Sequence, residues 1–133
     1  MKTVIIASPD DMVKLGSQIV KNYSKILIYW DLGVWKTHLV KGFASWLGIE
    51  KDKVTSPTYT IINNYDNKLL HIDMYRLKEF SELIDKWILD SIDRFDYICI
   101  ERPKREKEYI DDQWLKVKIE KINDNRRKVS IYS

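Results

Sequence analysis

The chain has 133 residues, of which 44% are apolar and 32% are charged, and its formal net charge is +3. This composition predicts one compact domain over residues 1–133, and so weak a charge permits an anionic partner without indicating one. The single cysteine, Cys99, excludes an internal disulfide and a cysteine-based zinc site. Because we find neither a membrane-length apolar run nor a secretion signal at the first residues, we expect a cytoplasmic protein without membrane contact.

The first half of the chain alternates predicted strands and helices. Residues 3–6 form a short strand, and Ser8 then caps a helix with proline at its first position and acidic residues in its first turn. An apolar strand at 25–29 leads directly into the segment 30–37. The helix that follows carries its apolar residues at helical spacing: Leu39, Val40, Phe43, Ala44 and Leu47.

The second half contains a predicted hairpin and further strands. Residues 59–65 and 69–75 are two strands joined at Asp66-Asn67. A helix follows, with one apolar side formed by Leu77, Phe80, Leu83, Ile84 and Ile88. After it come a short buried strand, a charged irregular segment and two more strands, at 97–100, 102–112, 115–119 and 129–132. This order predicts an α/β fold with a mixed, partly parallel central sheet flanked by helices.

The segment after the second strand has the spacing of a phosphate-binding loop. The pattern is Gly, four residues, Gly, Lys, Ser/Thr, and Lys36 and Thr37 are in place. In such loops backbone amides surround the phosphates, the lysine neutralises their charge and the hydroxyl binds magnesium. Two glycine positions hold Trp30 and Trp35 instead. We expect each indole to distort the loop, because a left-handed or crowded position excludes a large side chain.

The composition raises the question of whether these tryptophans are native. The chain has five tryptophans and only four glycines, although glycine normally makes up about 7% of a protein. We therefore hypothesise that several of these positions hold glycine in the natural protein, encoded by UGA codons that its genome reads as glycine. The alternative is a degenerate loop in a protein that no longer binds nucleotide. UGG codons at positions 30 and 35 would refute the hypothesis.

Two acidic residues are candidates for the chemistry that a phosphate loop needs in addition, namely magnesium coordination and orientation of the attacking water. Glu101 ends an apolar strand, and a solvated strand end is its alternative interpretation. Asp73 lies within an apolar segment, where a carboxylate is costly unless it is paired or binds a cation. The alternative for Asp73 is an ion pair with Arg76 or Lys78.

The segment 55–60 is rich in hydroxyl groups, with three threonines and a serine around Pro57. As an isolated feature it is a loop that enters a strand. Beside a phosphate site, a loop of this kind can respond to the γ-phosphate in the manner of a switch.

Together these segments resemble the TsaE (YjeE) family, small bacterial ATPases required for threonylcarbamoyladenosine formation on tRNA. The resemblance covers nearly the whole chain, and the spacing of its blocks is far more specific than a phosphate loop alone. The blocks are Leu15-Gly16, Asp31-Leu32-Gly33, Lys36-Thr37, Ser56-Pro57-Thr58-Tyr59-Thr60, His71-Ile72-Asp73-Met74-Tyr75-Arg76-Leu77 and Ile100-Glu101. The resemblance implies a P-loop NTPase-like fold.

The resemblance also bears on the tryptophans. The family loop has glycine at the positions of Trp30 and Trp35. Glycine is frequent in the family at the position of Trp46 and typical at that of Trp87. This coincidence supports the codon hypothesis, whereas Trp114 is not assigned either way.

The resemblance implies a role for each candidate residue. Lys36 would hold the β- and γ-phosphates, and Thr37 and Glu101 would coordinate Mg²⁺. Asp73 would act near the γ-phosphate or a ligand water, so that Lys36, Asp73 and Glu101 are the catalytic set. The residues that would contact ATP are Trp30, Asp31, Leu32, Gly33, Val34, Trp35, Lys36, Thr37, His38, Ser56, Thr58 and Arg126.

The chain departs from the family pattern at two positions. His38 replaces the usual second threonine, a tolerable change because that side chain points along the helix. Arg102 replaces the tryptophan that commonly follows the glutamate, which removes a ring that contacts the nucleotide in the family. Arg126 and Arg127 in the late turn could reach phosphate, although exposed arginines in a turn are usually solvated.

The implied function is a magnesium-dependent ATPase that works with the other bacterial threonylcarbamoyl-transfer proteins, TsaD and TsaB, and thus with tRNA indirectly. ATP hydrolysis would drive the cycle of that complex. If Trp30 and Trp35 are genuine, the alternative is a nucleotide-binding-deficient scaffold of the same complex. A small-molecule kinase is a third possibility, but the chain lacks obvious room for a lid or acceptor domain.

Overall fold

The computed structural model describes residues 1–30, 35–55, 62–74 and 82–132. The helices within these ranges are α1 (Pro9–Ile19), α2 (Lys36–Trp46) and α3 (Glu82–Arg94). The strands are β1 (Lys2–Ile6), β2 (Lys25–Trp30), β3 (Ile62–Tyr65), β4 (Leu69–Asp73), β5 (Tyr97–Glu101), β6 (Trp114–Asn123) and β7 (Arg126–Tyr132). None of the helices in the described part of the chain is long and apolar enough to cross a membrane.

The strands form one mixed sheet in the order β1-β7-β6-β2-β5-β4-β3. The four inner strands β6, β2, β5 and β4 run parallel, while β1, β7 and β3 are antiparallel to their neighbours. The predicted mixed, partly parallel sheet is therefore confirmed. Because the inner strands are parallel, the carboxyl ends of β2, β5 and β4 meet at one edge of the sheet.

Each face of the sheet carries its own apolar core, and β2 contributes to both. Ile26 and Ile28 are fully buried beneath α1 and α2, and Leu27 between them is fully buried on the α3 side. On that second face Ile88 and Ile92 of α3 cover the apolar side chains of β4 and β5. A strand buried on both faces explains the unbroken apolar run that precedes the loop.

Helix α1 begins as predicted and fixes the position of α2. The Ser8 hydroxyl accepts a hydrogen bond from the backbone N–H of Asp11 at 3.1 Å. The two helices touch at glycines, since a Cβ added at Gly16 would lie 2.1 Å from the Leu39 carbonyl oxygen. A Cβ at Gly42 would lie 1.9 Å from the Val13 carbonyl oxygen. This close packing holds the N-terminal turn of α2 against the sheet.

The predicted hairpin is present, and the last two predicted strands also pair with each other, with one difference in length. Asp66 and Asn67 both have positive φ, 57° and 56°, the conformation of a tight turn between β3 and β4. Strand β6 extends to Asn123 rather than ending at residue 119, because its pairing with β7 continues to the turn after the apolar alternation has stopped. Predicted elements at 59–61 and 75–81 lie outside the described residues.

Candidate functional site at the carboxyl ends of the parallel strands

The sheet brings the two acidic candidates together. Asp73 is the last residue of β4 and lies directly opposite Glu101, the last residue of β5. Glu101 is in turn opposite Ile28, two residues before the end of β2. Both carboxylates therefore lie beside the strand that leads into the phosphate-loop segment, at the edge where parallel α/β sheets bind ligands.

Glu101 is fully buried and its two carboxylate oxygens differ in their surroundings. Oε2 contacts Nε2 of His71, which is also fully buried. Oε1 has no hydrogen-bond partner among the described residues. A buried, unsatisfied carboxylate oxygen costs about 1–3 kcal/mol or more when nothing binds it, so this atom fits a cation ligand. The alternative of a solvated strand end is wrong for Glu101, because the side chain is not exposed.

The candidate ligands Glu101 and Thr37 suit a magnesium ion that is held jointly with substrate phosphates better than an ion held by protein side chains alone. The described residues contain no group of three or more His, Cys, Asp or Glu side chains that could hold an ion by themselves. Magnesium is commonly held by one or two carboxylates together with substrate phosphates. Glu101 with the Thr37 hydroxyl at the start of α2 therefore fits Mg²⁺ brought with a nucleotide.

Asp73 is only 9% exposed, so its carboxylate is largely buried at this edge of the sheet. The backbone continues the sheet here, because the Met74 N–H donates to the Glu101 carbonyl at 3.1 Å. The alternative ion pairs with Arg76 and Lys78 lie outside the described residues. The position beside Glu101 agrees with a role near the γ-phosphate, which stays a prediction.

The indole ring of Trp30 contacts the two cationic side chains that would bind a phosphate here. The Lys36 Nζ lies 3.7 Å from the centre of the indole ring, and the Arg102 guanidinium carbon lies 3.6 Å from it. The ring therefore makes a cation–π contact with each, worth about 0.5–2 kcal/mol. The indole Nε1 is buried without a hydrogen-bond partner in the described part of the chain, at a cost of about 1–3 kcal/mol. The two effects are of similar size, so the unsatisfied N–H offsets what the ring gains from its cation–π contacts.

Trp35 precedes α2 and is half-buried. The guanidinium carbon of Arg127 lies 4.1 Å from the centre of its ring. Its φ is −73°, and neither Trp30 nor Trp35 adopts a left-handed backbone. Of the two reasons given for a distorted loop, a left-handed backbone does not apply at these residues, and crowding of a phosphate by their rings stays a prediction.

The N-terminus of α2 is otherwise prepared for an anion. Lys36 and Thr37 are its first two residues, and no side chain of the described residues caps it, which leaves the first amides to a ligand. His38 lies near Lys41 and Asp10, and burial together with the Lys41 charge lowers the pKa of this imidazole. A neutral His38 adds no positive charge to this end at pH 7.

The remaining tryptophans fall into two groups. Trp46 and Trp87 are 48% and 52% exposed, on the outer surfaces of α2 and α3. Trp114 is 5% exposed and packs against Tyr109 with ring centroids 5.7 Å apart. Glycine at Trp46 or Trp87 would leave no cavity, whereas glycine at Trp114 would open the core. Trp114 is therefore a core residue of this chain, unlike Trp46 and Trp87.

A second basic region adjoins Trp30. An open cavity of about 310 Å³ is lined by Tyr29, Trp30, Arg102, Pro103, Lys104, Lys118 and Ile119. Arg102 has a left-handed backbone, with φ 48°, and its N–H donates to the Ile28 carbonyl at 2.9 Å. The ring that the family has after the glutamate is thus replaced by a guanidinium held against Trp30.

One neighbour of the site, His71, was given no role from the sequence, and the two arginines of the late turn differ in their burial. His71 could have been found from its position, because residues 71 and 73 share a face of β4 as residues 99 and 101 share a face of β5. Arg127 is 4% exposed and donates to the Asn123 carbonyl at 2.7 Å, while the predicted Arg126 is exposed. Predicted contacts at Asp31, Leu32, Gly33, Val34, Ser56 and Thr58 lie outside the described residues.

Comparison with known proteins agrees with this geometry. A family model described as "Threonylcarbamoyl adenosine biosynthesis protein TsaE" matches residues 6–129. A TsaE protein of Aquifex aeolicus is 36% identical over 99% of this chain and 96% of its own length. One of Bacillus subtilis is 32% identical over 90% of this chain and 75% of its own. The crystal structure of Bacillus subtilis YdiB has the same fold, with a TM-score of 0.68 at 23% identity, covering 98% of this chain and 83% of that one.

Proposed function

This chain belongs to the TsaE family, which acts in tRNA threonylcarbamoyladenosine biosynthesis, and we propose that it is a magnesium-dependent ATPase. The observation that carries the proposal is Oε1 of Glu101, which has no hydrogen-bond partner among the described residues and is buried beside the strand that leads to Lys36 and Thr37. A buried carboxylate oxygen, a lysine and a hydroxyl at a helix N-terminus are the groups that bind a nucleotide phosphate with its metal.

The reaction is attack of water on the γ-phosphorus of ATP, which forms a new P–O bond and breaks the bond to the β–γ bridging oxygen. Lys36 neutralises charge on the β- and γ-phosphates, and backbone amides of residues 30–37 surround them. The Thr37 hydroxyl and Glu101 Oε1 are the groups that would hold Mg²⁺. The metal, when bound, neutralises charge on the γ-phosphoryl oxygens. Asp73, next to Glu101, orients the attacking water.

ATP hydrolysis supports the cycle of the threonylcarbamoyl-transfer complex. The partners are the other proteins of that pathway, TsaD and TsaB, and tRNA is contacted through them. The role in tRNA modification supports a cytoplasmic location. The partner surface completes the site.

A second function has one observation in its favour. Lys36 and Arg102 both stack on Trp30, and in that state neither cation is directed at a phosphate. If the native protein contains tryptophan at positions 30 and 35, the chain is a scaffold of the same complex without nucleotide binding. The codons at positions 30, 35, 46 and 87, or the intact mass of protein from its native cell, distinguish the two.

Calorimetric titration with ATP and Mg²⁺ tests the proposal on three proteins: the chain as printed, a Trp30→Gly/Trp35→Gly variant and a Trp46→Gly/Trp87→Gly control. The control makes the same two exchanges at exposed positions on the helices, where glycine costs up to about 1 kcal/mol each. We expect tight binding only by the first variant, at least about tenfold tighter than the others, which is 1.4 kcal/mol. Equal binding by all three would refute the steric argument, and binding by none would favour the scaffold.

A further inference from the structure

A row of buried polar groups runs beneath the candidate site. It begins at the backbone carbonyl of Thr55, which accepts a hydrogen bond from the Tyr65 hydroxyl at 3.2 Å. The same hydroxyl lies 3.2 Å from Nδ1 of His71, and Nε2 of His71 contacts Oε2 of Glu101. The row thus joins the first residue of the hydroxyl-rich segment to the carboxylate that fits the metal.

The chemistry of the row determines where its protons lie. An imidazole nitrogen and a carboxylate oxygen in contact repel each other unless a proton lies between them, so His71 Nε2–H donates to Glu101 Oε2. The Tyr65 hydroxyl also accepts from Asn63 Nδ2 at 3.3 Å. Burial raises the pKa of Tyr65, so this hydroxyl keeps its proton. The one Tyr65 proton is shared between the Thr55 carbonyl and Nδ1 of His71, which both lie 3.2 Å from the hydroxyl oxygen, so each ring nitrogen of His71 contacts a polar partner.

The placement of His71 is costly unless it serves a purpose. The residue is fully buried in β4 between Leu70 and Ile72, which are also buried. An apolar side chain of the same size would avoid the cost of burying a polar ring. The hydrogen bond from His71 occupies Oε2 of Glu101, and Oε1 has no partner among the described residues. Residues that orient a metal ligand in this way commonly change metal affinity 10–100-fold.

We propose that His71 is a positioning residue, which holds Glu101 so that Oε1 faces the metal, and that Tyr65 in turn orients His71. This inference rests on the proposed function. It assigns the His71–Tyr65 pair a role beyond packing and connects the Thr55 end of the hydroxyl-rich segment to the metal ligand.

The test uses the Trp30→Gly/Trp35→Gly protein and three further changes. His71→Leu fills the space without a donor, His71→Gln keeps an amide N–H within reach of Glu101, and Tyr65→Phe removes the hydroxyl next to Nδ1. Tyr97→Phe, at the opposite end of β5, is the matched loss of a tyrosine hydroxyl. Each protein is titrated with ATP in EDTA and with ATP and Mg²⁺, and its thermal unfolding is recorded.

We expect His71→Leu to bind ATP in EDTA within about twofold of its parent and to lose at least about tenfold in Mg²⁺ affinity. His71→Gln should restore part of that affinity, Tyr65→Phe should lose less, and Tyr97→Phe should lose none. Unchanged Mg²⁺ affinity in His71→Leu would overturn the inference, and so would an equal loss of ATP binding with and without metal. Absence of ATP binding by the parent itself would instead refute the proposed function.

A second readout needs neither nucleotide nor metal. The chain has two histidines, so a His38→Gln variant assigns the imidazole resonances in a proton–nitrogen NMR spectrum. We expect an exchange-protected, far-downfield Nε2–H of His71 that shifts in Glu101→Gln. A rapidly exchanging His71 N–H would contradict the pairing with Glu101.

Discussion

The candidate site has an acidic side, formed by Asp73 and Glu101 with His71, and a cationic side, formed by Lys36 and Arg102. The two sides differ in how complete they are. On the acidic side, the register of β4 and β5 places Asp73 beside Glu101, and His71 holds one oxygen of that glutamate. On the cationic side, the side chains of Lys36 and Arg102 rest on the Trp30 ring. The sheet thus positions the acidic groups of the candidate site, while the cations on its other side lie against the ring of Trp30. Such a difference is expected if the tryptophans, and not the fold, are foreign to the site.

The largest effect should come from breaking the acidic side. Glu101→Gln in the Trp30→Gly/Trp35→Gly background removes the anionic oxygen at Oε1 but keeps the size of the side chain. Since a bound metal stabilises the transition state by several kcal/mol, we expect a loss of at least about 100-fold in ATP hydrolysis. ATP binding in EDTA should change little.

Steady-state hydrolysis and titration in EDTA measure these two quantities. Glu108→Gln, an exposed glutamate that pairs with Arg105 at 2.6 Å, is the matched control and should leave both unchanged. Hydrolysis by Glu101→Gln at the parent rate would show that Oε1 holds no metal, and the acidic side would lose its function in our account.

The next effect concerns the helix that carries the cationic side. Gly42→Ala places a Cβ 1.9 Å from the Val13 carbonyl oxygen, which forces α1 and α2 apart. We expect the free energy of unfolding to fall by about 1–3 kcal/mol, and ATP affinity in the glycine form to fall as Lys36 moves. Urea denaturation measures the first quantity, and Ser45→Ala on the exposed side of α2 is the control. An unaltered unfolding free energy in Gly42→Ala would mean that the helices do not meet at this residue.

The smallest effect concerns the buried indole N–H of Trp30. Trp30→Phe keeps an aromatic ring beside Lys36 and removes the buried indole N–H that has no partner among the described residues. The removed cost of about 1–3 kcal/mol exceeds the loss from the two weaker cation–π contacts with Lys36 and Arg102, about 0.5–1 kcal/mol together. We therefore expect the variant to be more stable by about 1 kcal/mol in urea denaturation. The control is Trp114→Phe, which should lower the stability of the protein because Trp114 packs in the core. A Trp30→Phe protein less stable than its parent would show that the indole belongs at position 30.

Most of the fold could be predicted from the sequence because the patterns that indicate its helices, strands and turns are local. The Ser8 cap, the apolar run of β2 and the turn at Asp66-Asn67 each appear in a few consecutive residues. The extent of β6 could not, because its last residues are polar and their strand structure comes from pairing with β7.

The site could be predicted only in part, for a similar reason. Lys36, Thr37 and Glu101 follow from motif spacing. The contact between His71 and Glu101 depends on the register of two strands far apart in sequence, and the placement of Lys36 on Trp30 depends on side-chain conformation. Neither is encoded in a local pattern, although the shared strand faces of residues 71 and 73 were a usable signal.

The proposed function requires the segment between β2 and α2 to bind the triphosphate once its indole rings are absent. A crystal structure of the Trp30→Gly/Trp35→Gly protein with ATP and Mg²⁺ tests it most directly. Our account predicts the β- and γ-phosphates against Lys36 and the first amides of α2, with Glu101 Oε1 turned toward the metal. A nucleotide seated anywhere remote from Lys36 would contradict it.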